Sequence, residues 1–230
     1  MTTPTVDAVI PIRAADCLNE AGDPRFILQD RTLWDITIAH ALAAQGLRSV
    51  VVAHDDDRFA ARLDTTDSRL VSEKRPGRLS VEGVTTLDVL REIARIRIEQ
   101  EKGADYYLLM EITHPLRPKS LVADLLTAIE SDRPDSLITC HPVHYNFWRR
   151  DENGATDRVA GAGDRAALGM FQELIGIGSL FRAENLLSEN PFGDHVDIVP
   201  IDRFWATIDV RDEDGLWLAE AYLERIGATV

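Results

Sequence analysis

The feature that most constrains this chain is a regular alternation of short, nearly unbroken apolar runs with helix-length amphipathic patterns. VDAVIPI (6–12), RSVVVAH (48–54), DYYLLME (105–111) and DSLITCH (135–141) have strand length and are rich in β-branched or aromatic residues. Unbroken apolar character suits strands covered on both faces, as in a parallel sheet between helical layers. Between them, residues 32–46 set Leu33, Ile36, Ile38, Ala41 and Leu42 along a broad apolar face and stop at Gly46. Residues 85–103 do the same with Leu87, Leu90, Ile93, Ile96 and Ile98, and SLVADLLTAIE after Pro118 reads as another helix. The alternation predicts parallel strands joined by right-handed crossovers, in one α/β domain spanning residues 1–230. An apolar run near 175–181, a strand at 204–210 and a closing helix from Asp212 complete the expected core.

The pattern lapses from about residue 141 to 164. Aromatics, a turn-like Asp-Glu-Asn-Gly and two further glycines there predict a hairpin or extension. Tyr145, Phe147 and Trp148 read equally as a core patch or as a contact with a second copy.

A formal charge of −14 argues against nucleic acid or an anionic membrane as partner, since both need a basic face. No apolar run approaches membrane-spanning length, and MTTPTVDAVIPIR lacks the order of a leader peptide, so a cytoplasmic location is expected. Cys17 and Cys140 cannot form a disulfide framework, and His141, His144 and His195 lack zinc-ligand spacing.

Ligands of open α/β sheets gather at strand carboxyl ends. LLMEITHPLRP (108–118) delivers Glu111, Thr113 and Arg117 to such an end, and PIRAADCLNEAGDPRFILQDR (11–31) places Arg13, Arg25 and Arg31 after the first strand. Taken with RSVVVAHDDDRFA, RPGRLSVEGVTTLDVL and TIDVRDEDGLWLAEAYL, these segments resemble, in order from about residue 10 to 223, the cytidylyltransferases that activate acidic sugars, of the CMP-sialic acid synthetase kind.

The resemblance implies a Rossmann-like three-layer nucleotidyltransferase fold with a mostly parallel sheet. Residues 141–177 would form a small dimerisation and acceptor-site excursion. The implied reaction transfers CMP from CTP to a sugar acid or related oxygen acceptor, releasing pyrophosphate with Mg²⁺. Arg13, Arg25 and Arg31 would then hold the triphosphate, Arg75 and Thr85 the nucleoside, and Asp209 the metal. Arg13 and Asp209 would carry the chemistry, while Glu111, Arg117, Arg165 and Gln172 would face the acceptor.

The chain departs from the family at several of these points. The loop after Ile12 lacks the family's glycine pair and first lysine and has gained Asp16, Glu20 and Asp23, whose charges repel phosphate. Asp55 and Asp56 read as helix caps rather than metal ligands. Glu111 replaces a glutamine, Gln172 a tyrosine, and Leu174 and Ile175 replace polar acceptor contacts. Arg211 stands at the second carboxylate of the family's Asp-x-Asp. These changes leave two further readings: a catalytically silent relative that binds a nucleotide or sugar acid or supports a partner, and an enzyme for another nucleotide or a phosphonate-like acceptor.

Overall fold

The computed structural model describes residues 3–64, 66–143, 145, 147–160 and 169–230. Strand β1 (Val6–Ile12) leads through one helical turn, α1 (Ala14–Cys17), and the ribbon β2 (Ile27–Leu28) and β3 (Arg31–Thr32) into α2 (Leu33–Ala43). Then come β4 (Ser49–His54), α3 (Asp57–Ala60), β5 (Leu70–Lys74), α4 (Thr86–Glu99), β6 (Tyr106–Leu109), α5 (Leu121–Ser131) and β7 (Ser136–Pro142). A hairpin of β8 (Phe147–Arg150) and β9 (Thr156–Ala160) precedes β10 (Phe171–Glu173), the turn α6 (Ile175–Gly178) and β11 (Ser179–Arg182). The chain closes with α7 (Ala183–Leu186), β12 (Val196–Pro200) and α8 (Glu213–Ile226).

The main sheet runs β12, β7, then β10 and β11 end to end, followed by β6, β1, β4 and β5. Only β10 and β11 run against the other strands of this sheet. Their direction follows from the connection: the chain leaves β7 and turns back beside it without a crossover helix, and a direct return must be antiparallel. The gap between them is bridged by Thr139, whose hydroxyl donates to the Leu174 carbonyl at 2.7 Å and whose N–H donates to Ser179 Oγ at 3.1 Å.

Strand alternation divides the core into two layers. Val6, Ala8, Ile10 and Ile12 of β1 face α2, α5 and α8, whereas Val9 joins Leu90 and Ile93 of α4 on the other side. Thr32 caps α2, and Thr85 forms a reciprocal capping box with Asp88 at the start of α4. The architecture is thus a three-layer, mostly parallel α/β sheet with β1 at its centre.

Two expectations change. Residues 204–210 form no strand; Phe204–Thr207 is a 3₁₀ turn, and Val210 donates to the Thr113 carbonyl at 2.7 Å, docking the segment on a loop rather than in a ladder. Strands β5 and β12 escaped the sequence pattern because their residues alternate in exposure at the sheet margins, where one face stays wet. Among the described residues, no helix is long and apolar enough to cross a membrane.

At the amino ends of the strands, Asp7 is fully buried. It accepts from Arg48 Nε at 2.9 Å and Nη2 at 2.7 Å, and from Arg97 Nε at 2.9 Å. This network ties β1 and α4 to the chain entering β4.

Candidate functional site

At the opposite end of the sheet a cavity of about 250 Å³ opens where β1 and β6 stop. Adjacent parallel strands deliver their following loops to one side, so Arg13 after β1 and Glu111 and Thr113 after β6 share a wall. Arg25 and Phe26 enter from the loop before β2, Thr86 from the first turn of α4, and Arg211 from the segment before α8. Leu33 and Trp34 supply an apolar part of the lining, with Trp34 set edge-on against Phe59, their ring centroids 5.2 Å apart.

The loop after β1 is pinned rather than open. Ala14 donates its N–H to Asp55 Oδ1 at 2.8 Å, and Asp55 Oδ2 accepts from Arg75 Nη2 at 3.3 Å. Asp55 is therefore a tie between β1, β4 and β5 instead of the helix cap expected; Asp56 is the cap of α3. Arg13 is gripped by both oxygens of Asp16, at 2.8 and 2.7 Å, and this pairing raises its pKa. Arg25 lies over the Phe26 ring, 5.2 Å from its centroid, and is exposed. Cys17, also on the cavity wall, has its thiol pushed up to about 12, chiefly by burial, so it is no nucleophile.

A second constellation closes the other side. Arg211 Nε donates to Asp209 Oδ2 at 2.6 Å, and its Nη2 donates to Glu111 Oε2 at 3.1 Å. Glu111 Oε1 accepts from the Thr86 hydroxyl at 2.7 Å, so both oxygens of this carboxylate are taken. The remaining oxygen of Asp209, Oδ1, is buried without a partner. Burial works against the charge of Arg211, yet pairing with Asp209 and Glu111 leaves its pKa raised.

Glycine makes this packing possible in two places. A Cβ on Gly176 would come within 2.7 Å of the Glu111 carboxyl carbon, and one on Gly215 would lie 2.5 Å from the Asp209 carbonyl oxygen. At Gly215 the neighbour is backbone and a side chain is not tolerated, whereas at Gly176 a side chain would displace the Glu111 carboxylate.

The expected site residues divide. Arg13, Arg25 and Glu111 meet in the cavity, and Asp209 lies behind Arg211. Arg75 is buried behind the loop, bonded to Asp55 and, at 3.1 Å, to Ser80 Oγ. Thr85 is spent on its capping box, and its neighbour Thr86 faces the cavity instead. Arg31 points elsewhere, donating to the Val230 carbonyl at 2.8 Å and lining a different, more apolar depression.

Arg117 does not face the cavity. It is buried and donates to the carbonyls of Glu111, His114, Gly176 and Ile177, a role that fixes the turn after β6 against α6. Burial pulls its pKa down to about 9. Gln172 is exposed on β10, beside the carboxyl end of β7 but outside the cavity lining. Arg165 lies outside the described residues.

Sequence reading put the hydroxyl contact of the Thr85-Thr86 pair on Thr85 rather than Thr86 and missed the bridging role of Arg211. The available signals were the doubled threonine at the helix start and a cation beside an aspartate otherwise expected to hold metal. Among the described residues, one group of three ligand-type side chains stands together: Asp132, His195 and Asp197. His195 begins the approach to β12 at the amino end of β7, away from the cavity.

A three-layer sheet with arginines converging on a cavity at its strand carboxyl ends has its cavity where open α/β sheets bind ligands. Among solved structures, the chain is similar to 4-diphosphocytidyl-2C-methyl-D-erythritol synthase from Anaerococcus prevotii DSM 20548, with a TM-score of 0.68 at 14% identity over 97% of this chain and 100% of that one. A second structure of a synthase of that name gives 0.68 at 16% identity, again over 97% and 100%. CMP:2-keto-3-deoxy-manno-octonic acid synthetase complexed with CTP gives 0.67 at 15% identity, over 96% and 99%. No protein-family model and no curated protein matches the sequence. At these identities the likeness establishes the fold, and the chain has the fold of these synthetases along nearly its whole length.

Proposed function

We propose that the protein is a cytidylyltransferase-like nucleotidyltransferase, joining CMP from CTP to an oxygen acceptor of the sugar-acid class with release of pyrophosphate. The observation that carries this reading is the convergence of Arg13, Arg25 and Arg211 on one cavity in a chain of net charge −14. Cations gathered against the overall charge mark an anion site.

In this reading Arg13 and Arg25 hold the triphosphate, and Trp34 and Phe26 offer an apolar wall for the nucleoside. The acceptor oxygen bonds to the α-phosphorus as the bond to the pyrophosphate oxygen breaks, and the acceptor proton passes to solvent. Arginines at the departing pyrophosphate stabilise the charge that accumulates there. Glu111 and Thr86 face the acceptor, while Arg117, by holding the Glu111 carbonyl, acts as a positioning residue.

The resemblance also brings Mg²⁺ with Asp209 as its ligand. A divalent ion needs carboxylate oxygens directed at it. Here Asp209 Oδ2 and Glu111 Oε2 hold Arg211, Glu111 Oε1 holds Thr86, and Asp209 Oδ1 is buried. The residues as arranged do not fit a divalent ion.

The exposed aromatics Tyr145 and Trp148, with Met170 and Phe171, support a homodimer through residues 141–177. Trp148→Ser is expected to shift the mass in light scattering toward the monomer; an unchanged dimer would move the contact elsewhere.

A specific observation favours one second reading, a relative that binds nucleotide without turning it over. Arg13 and Arg211 are each already held by carboxylates. Pyrophosphate release, assayed with each nucleoside triphosphate and a panel of sugar acids, separates the two. Turnover with CTP establishes the enzyme, and calorimetric binding without release establishes the silent relative.

A further inference from the structure

The position of Arg211 carries a consequence for how phosphate is held, and it rests on the nucleotide reading above. Its guanidinium sits between Asp209 and Glu111, with Nε on one carboxylate and Nη2 on the other. Guanidinium has five N–H donors in a fixed plane. Two are used here, which leaves both hydrogens of Nη1 and one of Nη2 for a ligand. The side chain lines the cavity and is 62% exposed, so those donors are accessible.

The carboxylates cannot easily trade this cation for another. Glu111 is held at its other oxygen by Thr86, at its carbonyl by Arg117, and by the close face of Gly176. Asp209 is held from behind by Gly215, whose bare Cα packs on its carbonyl. The nearby Asp212 is committed to capping α8, accepting from the Gly215 N–H at 2.8 Å. A rigid pair of carboxylates gripping a guanidinium presents a fork of N–H groups to the cavity, a geometry that suits phosphate oxygens.

We propose that Arg211 is the resident cation of this site. It engages the nucleotide phosphates directly, in place of a divalent metal on Asp209, so that nucleoside triphosphate binding is independent of divalent ions. Asp209 and Glu111 are then positioning residues for the arginine rather than metal ligands.

The test is calorimetric titration of CTP into the full chain, once in EDTA and once in millimolar MgCl₂. The expected result is a Kd in EDTA within about threefold of that in Mg²⁺ for the wild type. Arg211→Gln should weaken binding in EDTA at least tenfold, Arg211→Lys should recover part of it, and Arg211→Asp should make binding dependent on Mg²⁺. Circular dichroism of each variant separates loss of binding from loss of fold. Wild-type binding at least tenfold tighter with Mg²⁺, or Arg211→Gln binding unchanged in EDTA, would overturn the proposal while leaving the nucleotide reading intact. No binding of CTP, ATP, GTP or UTP in either buffer would overturn both.

Discussion

The two ends of the same strands carry charge clusters of similar composition and opposite design. At the amino end, Asp7 is fully buried and each of its oxygens meets an arginine, with Arg97 itself almost fully buried. At the carboxyl end, Arg211 is largely exposed, and only two of its five N–H donors are bonded. A charge whose bonds are all made inside the protein has nothing left to offer a ligand. One whose bonds are half made, beside a cavity, is poised for one. The first cluster therefore serves stability and the second is the one we propose for recognition, although a list of their residues would not tell them apart.

The largest expected effect breaks the amino-end cluster. Asp7→Ala leaves Arg97 buried without its carboxylate and should cost about 3–5 kcal/mol in urea unfolding. A loss below about 1 kcal/mol would erase the distinction between the ends.

Acid sharpens the comparison next. Burial holds His40 and His114 near a pKa of about 4, with the positive charge of Arg117 adding to the effect. Both are therefore neutral when folded, whereas the unfolded chain takes up protons below its ordinary value of about 6.5. Their contribution is complete above pH 6.5 and is lost as pH falls toward 4, at most on the order of 3 kcal/mol for each. Unfolding midpoints measured across this window should decline, and His40→Gln should flatten the slope; a flat wild-type profile would contradict both.

Gly215→Ala probes the support behind the recognition cluster. The new methyl meets backbone atoms of Asp209 and Val210, which cannot swing aside, at an expected cost of about 1–3 kcal/mol. Thermal unfolding reads the cost, and an unchanged midpoint would show the segment to be more yielding than its packing suggests.

The smallest stability effects belong to the exposed pair at the cavity. Arg13→Ala and Asp16→Ala should each alter stability by less than about 0.5 kcal/mol, yet differ in their effect on CTP affinity. Calorimetry should show roughly tenfold weaker binding for the first, from loss of a charged hydrogen bond, and unchanged or tighter binding for the second. Equal losses for the two would mean that Asp16 organises Arg13 for the ligand rather than competing with it.

Much of the framework was legible in the sequence. Strands β1, β4, β6 and β7 and helices α2, α4 and α5 were foreseen because continuous apolar runs and helical periodicity are local patterns, expressed wherever the segment is buried. The capped start of α4 at Thr85 and the start of α8 after Asp212 were readable for the same reason, since a cap bonds within its own first turn. The segment at 204–210 misled because its apolar residues pack against a loop, and burial alone does not reveal which backbone supplies the hydrogen bonds.

For the site, sequence order placed Arg13 and Glu111 correctly at strand ends, since parallel strands must deliver their exits to one side. It could not place side chains. Arg117 turns inward to satisfy four carbonyls, Arg31 reaches the last residue of the chain, and Arg211 meets Glu111 across 100 positions of sequence. The sequence by itself determined the layered α/β framework and the end of the sheet where a ligand would bind, because both follow from short-range pattern and strand direction. Only the tertiary structure decided which arginines remain available to that ligand, because a guanidinium bonds whatever acceptor long-range packing brings within about 3 Å.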